Sequence, residues 1–242
     1  MLTRVPVVAL LLLLASEPAC VVYEYEHEVW FRVGGAGTVN VTGRPALWTA
    51  FKGVGSPADP DGTVTREALR ELFERSGLRV NRVTLTRRGG RPYLFVSADF
   101  DDLNALRGTP AFPDLDLRLA RDGERLRLDG TWARPPTAPD VGPRDRDGLM
   151  AVRFHLPSKV FEHKNAARGV ERGNIVGWEQ DVAAARDGGR LEIGALMDQR
   201  SILGSTVALF SAAIVLALLT LGLGLYAVFR KGRRQRAGAG AP

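Results

Sequence analysis

The sequence predicts an α+β domain: a mostly antiparallel β-sheet built from hairpins with one or two packed helices, plus a single C-terminal transmembrane helix. Three observations carry this. Residues 23–33 alternate apolar and charged side chains with period two, the mark of a half-buried strand. Two more pairs of extended runs are joined by short turns, while only two stretches show helical apolar spacing, so hairpins dominate. The run bounded by Ile202 and Phe229 holds 28 residues without a charge, and Arg230, Lys231, Arg233, Arg234 and Arg236 follow at once.

The N-terminus has Arg4, an apolar run over residues 5–15 and then small residues. Eleven apolar residues are too few for a hydrocarbon core that takes about 20 helical residues. The pattern is that of a signal peptide over residues 1–19. Cys20 is the only cysteine, so no intramolecular disulfide and no cysteine-based zinc cluster is expected. Two readings of Cys20 stand. After Ala19 it has the place of an acylated lipoprotein cysteine, a lipid anchor. Glu17 and Pro18 depart from that pattern, as in a plain signal peptide with an incidental thiol.

The exported part follows in order. Residues 23–33 and 38–42 form a hairpin across Gly34, Gly35, Ala36 and Gly37. Residues 45–52 form a short helix that opens on Pro45. Residues 65–76 form a better one, capped by Thr65, striped by Ala68, Leu69, Leu72 and Phe73, and ended by Gly77. Residues 79–87 and 92–100 make a second hairpin, and residues 101–107 add a helical turn. Residues 115–120 and 125–132 make a third hairpin. These complete the first part of the domain, residues 20–132.

Residues 133–147 hold four prolines and no apolar period, a loop or linker. Residues 148–201 read as strands at 149–155, 174–180 and 190–197 around a loop at 156–173, expected to join the same sheet because Phe154 and Trp178 need a core. Residues 202–229 are long enough to span a bilayer with some tilt and must be helical there. The basic tail, residues 230–242, stays cytoplasmic by the positive-inside rule. This places the chain in the cytoplasmic membrane with one pass and its domain on the extracytoplasmic side.

Charge supports the layout. Residues 21–201 carry 27 basic and 26 acidic side chains, so the net +6 arises largely in the tail. The high isoelectric point is a topology signal, and no nucleic-acid partner is expected.

No reactive constellation stands out, and the expectation is a protein that is not an enzyme, with no cofactor and no metal. His155, Glu162 and His163 flank an irregular loop without zinc spacing. Glu24, Glu26 and Glu28 line one face of the first strand, a row that more often meets arginines on a neighbouring strand than a cation. The glycines at 34, 35 and 37 join two strands and open no helix, so they form no phosphate loop.

The words Cys20-Val21-Val22-Tyr23-Glu24-Tyr25-Glu26 and Gly37-Thr38-Val39-Asn40-Val41-Thr42, with a terminal strand running into a membrane helix and basic tail, resemble LppM-like bacterial lipoproteins. The segments HLPSKVFEHKN and ERGNIVGWEQ are similar to acidobacterial-type envelope proteins. The resemblance implies a small α+β sheet packed on a helix and a lipid- or glycolipid-binding role, and it brings no catalytic residues. The expected partner is a membrane lipid, glycolipid or envelope protein. The alternative is an assembly subunit acting through its membrane helix, where Ala208 with Ala212, and Ala213 with Ala217, give small-residue spacing.

Overall fold

A computed structural model describes residues 22–200 and 202–238, with backbone alone for residues 202, 203, 205 and 227–238. The signal-peptide residues 1–19 and Cys20 lie outside the described residues.

Strands β1 (Tyr23–Phe31) and β2 (Gly37–Gly43) open the domain. Helices α1 (Pro45–Lys52), α2 (Pro60–Thr63) and α3 (Arg66–Arg75) follow. Then come β3 (Arg79–Arg88), β4 (Arg91–Phe100), a 3₁₀ turn (Leu103–Leu106), β5 (Leu115–Asp122) and β6 (Arg125–Ala133). The last third holds β7 (Leu149–His155), β8 (Val160–Lys164), β9 (Val170–Glu171), β10 (Ile175–Asp181), α4 (Val182–Arg186), β11 (Arg190–Asp198) and α5 (Ile202–Gly238).

Local chemistry explains the helices. The Thr65 hydroxyl accepts the Ala68 amide at 3.1 Å and starts α3, whose apolar stripe is buried at Leu69, Leu72 and Phe73. Pro45 sits in the first turn of α1, and Gly53, at φ 67°, ends it in the left-handed region. The Asp59 carboxylate accepts the Gly62 amide and nucleates α2.

The strands form two sheets. The larger runs β3-β4-β2-β1-β7-β10-β9 and the smaller β5-β6-β11-β8. All pairs are antiparallel except β1 with β7. Of residues 148–201, β7, β10 and β9 belong to the larger sheet, whereas β8 and β11 belong to the smaller one. β11 pairs with β6 along its whole length, Arg190 opposite Ala133 to Asp198 opposite Arg125, and draws β8 onto its other edge. Its apolar side chains Ile193, Ala195 and Met197 face the same core as Leu126 and Leu128. Strands β8 and β9 occupy the stretch expected to be a loop.

One apolar core serves both sheets, α1 and α3. The space between sheet and α3 is occupied by rings. Trp48 meets Phe73 at 6.2 Å, Phe73 meets Phe112 at 5.7 Å, and Phe51 meets Trp132 at 4.8 Å. The proline-rich segment is strapped down. Arg134 donates to the carbonyls of Ala50, Ala138 and Pro139, and Val141 packs on Ala46 and Ala50 of α1.

Within α5, Thr206–Tyr226 has a mean hydropathy of 2.4 and is long and apolar enough to cross a membrane. Every side chain described there is exposed. Apolar surface of that extent is stable in lipid and not in water. The chain is membrane-associated. Helix α5 continues as backbone through the basic residues 230–236.

Candidate functional site

The outer face of the large sheet gathers the polar and aromatic side chains that the core rejects. Along β1, Tyr25, His27, Val29 and Phe31 point inward, and Glu24, Glu26, Glu28 and Trp30 stand half-buried on the other side. A register shift between Tyr23 and Tyr25 lets Tyr23 join that outer face. Its hydroxyl donates to Glu179, and Arg153 lies over its ring at 5.6 Å.

The carboxylate row meets arginines, as the strand pattern implied. Glu24 takes Arg44 at 2.8 Å and Arg91 at 3.8 Å. Arg153 on β7 reaches both Glu26 at 3.5 Å and Glu28 at 3.8 Å. Glu179 pairs with Arg168 at 3.2 Å. Burial pushes the Glu26 carboxyl up, and Arg153 pulls it back. Glu26 Oε1 and Asn40 Oδ1 are shielded from solvent with no hydrogen-bond partner.

His155 and His163 are not brought together. His155 bonds Glu28 at 2.7 Å and stacks on Trp30 with ring centroids 4.5 Å apart, whereas His163 lies on β8 in the other sheet. Among the described residues, no cluster of three or more histidine, cysteine or acidic side chains is placed to hold a metal ion.

At the Trp30 end of this face lies a groove of about 410 Å³. Trp30 forms one wall, and Arg32, Thr38, Arg79, Asp99 and Asp101 supply its polar groups. The Thr38 hydroxyl donates to Asp99 at 2.7 Å and Arg79 pairs with Asp99 at 3.0 Å, so this carboxyl is held below its usual range. A ring wall with a carboxylate, a guanidinium and a hydroxyl is a chemistry that stacks on and hydrogen-bonds polyols. Gly37 shapes the floor. A Cβ there would come 2.7 Å from the Phe100 ring and 2.8 Å from Phe31 Cα.

The groove lies near the end of β11 that leads into α5. Trp30 is opposite His155 in the β1–β7 register. Three residues later the Ser158 hydroxyl donates to the Asp198 carbonyl, and the Asp198 amide donates to Lys159 at 3.0 Å. Three residues reach at most about 10 Å. Asp198 is the last residue of β11, ahead of α5.

A larger groove of about 750 Å³ lies at the other end of β11, lined by Arg107, Thr131, Arg134, Arg186 and Arg190 among others. Two of its guanidiniums are committed to the fold. Arg134 holds three carbonyls, and Arg186, 3% exposed, bonds Arg144, Gly142 and Asp140. Arg107 pairs with Asp116 at 2.9 Å and is exposed, as Arg79 is in the smaller groove.

Sequence reasoning passed over one cluster altogether. Asp114 is buried and takes Lys52 at 2.9 Å and the Trp132 indole at 3.2 Å, with His27 at 3.8 Å. Burial pushes Asp114 up and Lys52 down, each resisted by the other. His27 is held well below its usual range, by burial first and by Lys52 second. All four side chains are fully or almost fully enclosed, and the cluster ties β1, α1 and β6 together. The signal was present: His27 is in phase with Tyr25 and Val29 on the apolar face of β1.

No family model matches the chain, and no curated protein does. Among solved structures, it is similar to the folded domain of Mycobacterium tuberculosis LppM, determined by NMR, at 12% identity, covering 76% of this chain and 95% of that one with a TM-score of 0.40.

Proposed function

We propose that this chain is a non-enzymatic, membrane-anchored envelope protein whose exported domain holds the polar headgroup of a glycolipid in the groove beside Trp30. The observation that carries it is position. The groove with the ring wall and the Arg79–Asp99 pair lies on the large sheet beside the His155 end of β7, three residues ahead of Ser158, whose hydroxyl donates to Asp198 where β11 of the small sheet leads into α5. A headgroup projecting from the same membrane reaches that end first. The filled core favours recognition of the headgroup over capture of an acyl chain.

The test is lipid mass spectrometry of the full chain purified in mild detergent from native membranes. Wild type is expected to carry stoichiometric glycolipid. Trp30→Ala is expected to lose about tenfold in affinity, the equivalent of ~1.4 kcal/mol, and to carry less glycolipid than wild type. Thr131→Ala, in the far groove, is expected to retain it. Equal lipid in all three, or none in wild type, contradicts the proposal.

A further inference from the structure

We infer that the edge of the small sheet around Phe161 is a bilayer-docking surface that seats the domain on the headgroups of its own membrane. This rests on reading α5 as the membrane span. Phe161 is 44% exposed, the one aromatic ring so exposed in the domain among the described residues. Arg125 lies over its ring at 4.6 Å and Lys159 at 5.7 Å. An exposed ring flanked by long cations is suited to the interface, where the ring meets the acyl boundary and the cations meet phosphate.

Chain geometry puts this patch beside the bilayer. Val160 is opposite Met197 and Arg125 is opposite Asp198, so both lie at the end of β11 that leads to α5. The Gln199 side chain ties the exit to the β5–β6 turn by donating to the Gly123 and Arg125 carbonyls at 2.8 and 3.2 Å. From Asp198 to Ile202 the chain reaches at most about 14 Å. The helix from there to Thr206, where the apolar stretch begins, adds about 6 Å.

The charge of this end is complementary to lipid phosphate. Asp122 is paired with Arg127 at 2.5 Å, whereas Asp198, which accepts the Arg200 amide at 2.8 Å, keeps its charge. That leaves Glu124, Glu162 and Asp198 against Arg121, Arg125, Lys159 and Arg200, a small positive excess. β8 is an edge strand whose residues after Val160 are all exposed, so the patch has no cover among the described residues.

The test places a reporter at the ring. Full-length Phe161→Trp is reconstituted into vesicles of phosphatidylethanolamine and phosphatidylglycerol, with and without lipids brominated on the upper acyl chain. Wild type in the same vesicles gives the background of the native tryptophans. The added emission is expected to be blue-shifted and quenched by bromine, and both effects are expected to fall when Lys159→Glu and Arg125→Glu are added. Added emission at the wavelength of a water-exposed indole, unquenched, overturns the inference. Vesicle flotation of the same sample separates the two claims. A chain that floats without quenching refutes the docking surface alone, and one that does not float refutes the membrane span as well.

Discussion

At the residue scale, Asp114 decides the most. Its carboxylate sits among Lys52, His27 and the Trp132 indole with no route to water. Removing one partner of a buried ion pair strands the other charge, a cost of about 3–5 kcal/mol. Asp114→Ala is therefore expected to destabilise by that amount in thermal or denaturant unfolding. The double variant Asp114→Leu with Lys52→Met is expected to recover most of the loss, since apolar replacement of a buried pair is often neutral. His27 gives a pH signature. Its folded-state pKa lies well below the usual 6.5, so the unfolded chain binds the proton first. Stability should then fall as pH drops below about 6.5, by ~1.4 kcal/mol per unit, until the folded-state pKa is reached. Unfolding midpoints of wild type and His27→Leu between pH 7.5 and 5.5 check this, and the variant should lose that slope. Only the inward phase of His27 on β1 was legible in the sequence; its partners were not. Asp114 is 62 positions from Lys52, and a lone carboxylate before a strand looks like any loop acid.

At the scale of elements, what was legible is what local chemistry dictates. The three hairpins, α1 and α3 carry their own period, caps and turns, and the structure returns them at nearly the expected bounds. β8 and β9 were missed because exposed edge strands of two and five residues, VE and VFEHK, are too short and irregular to show alternation. The division into two sheets was missed because strand pairing is a tertiary choice: β7 and β11 both look like buried strands, and only the partner side chains tell them apart. Two predictions belong here. Thr65→Ala removes the acceptor for the Ala68 amide and should cost about 1 kcal/mol in stability. Gly37→Ala forces a Cβ against Phe100 and the β1 backbone. It should shift the β1–β2 register at the groove and depress glycolipid occupancy, while leaving far-UV circular dichroism close to wild type.

At the scale of the whole molecule, the layout ties one membrane helix to one end of a domain with a single core. That end bears both the Trp30 groove and the Phe161 edge, whereas the large arginine-rich groove lies about 27 Å away along β11. The membrane helix was plain from its composition, and the row of Glu24, Glu26 and Glu28 pointed correctly to arginine partners. The groove itself was hidden, because Trp30, Thr38, Arg79 and Asp99 come from four strands. If the helix serves as an anchor and not as an assembly interface, Ala212→Leu with Ala213→Leu should leave lipid occupancy and native-gel mobility unchanged. Loss of a higher-mass complex in that variant would favour an assembly subunit.

Photocrosslinking in intact membranes tests the central claim most directly. A benzoylphenylalanine is placed at Thr38 in the Trp30 groove, or at Thr131 in the distant one, in the full chain. The account predicts an adduct of glycolipid mass at position 38 and none at position 131. Lipid adducts at both positions alike, or no lipid adduct at 38, would contradict it.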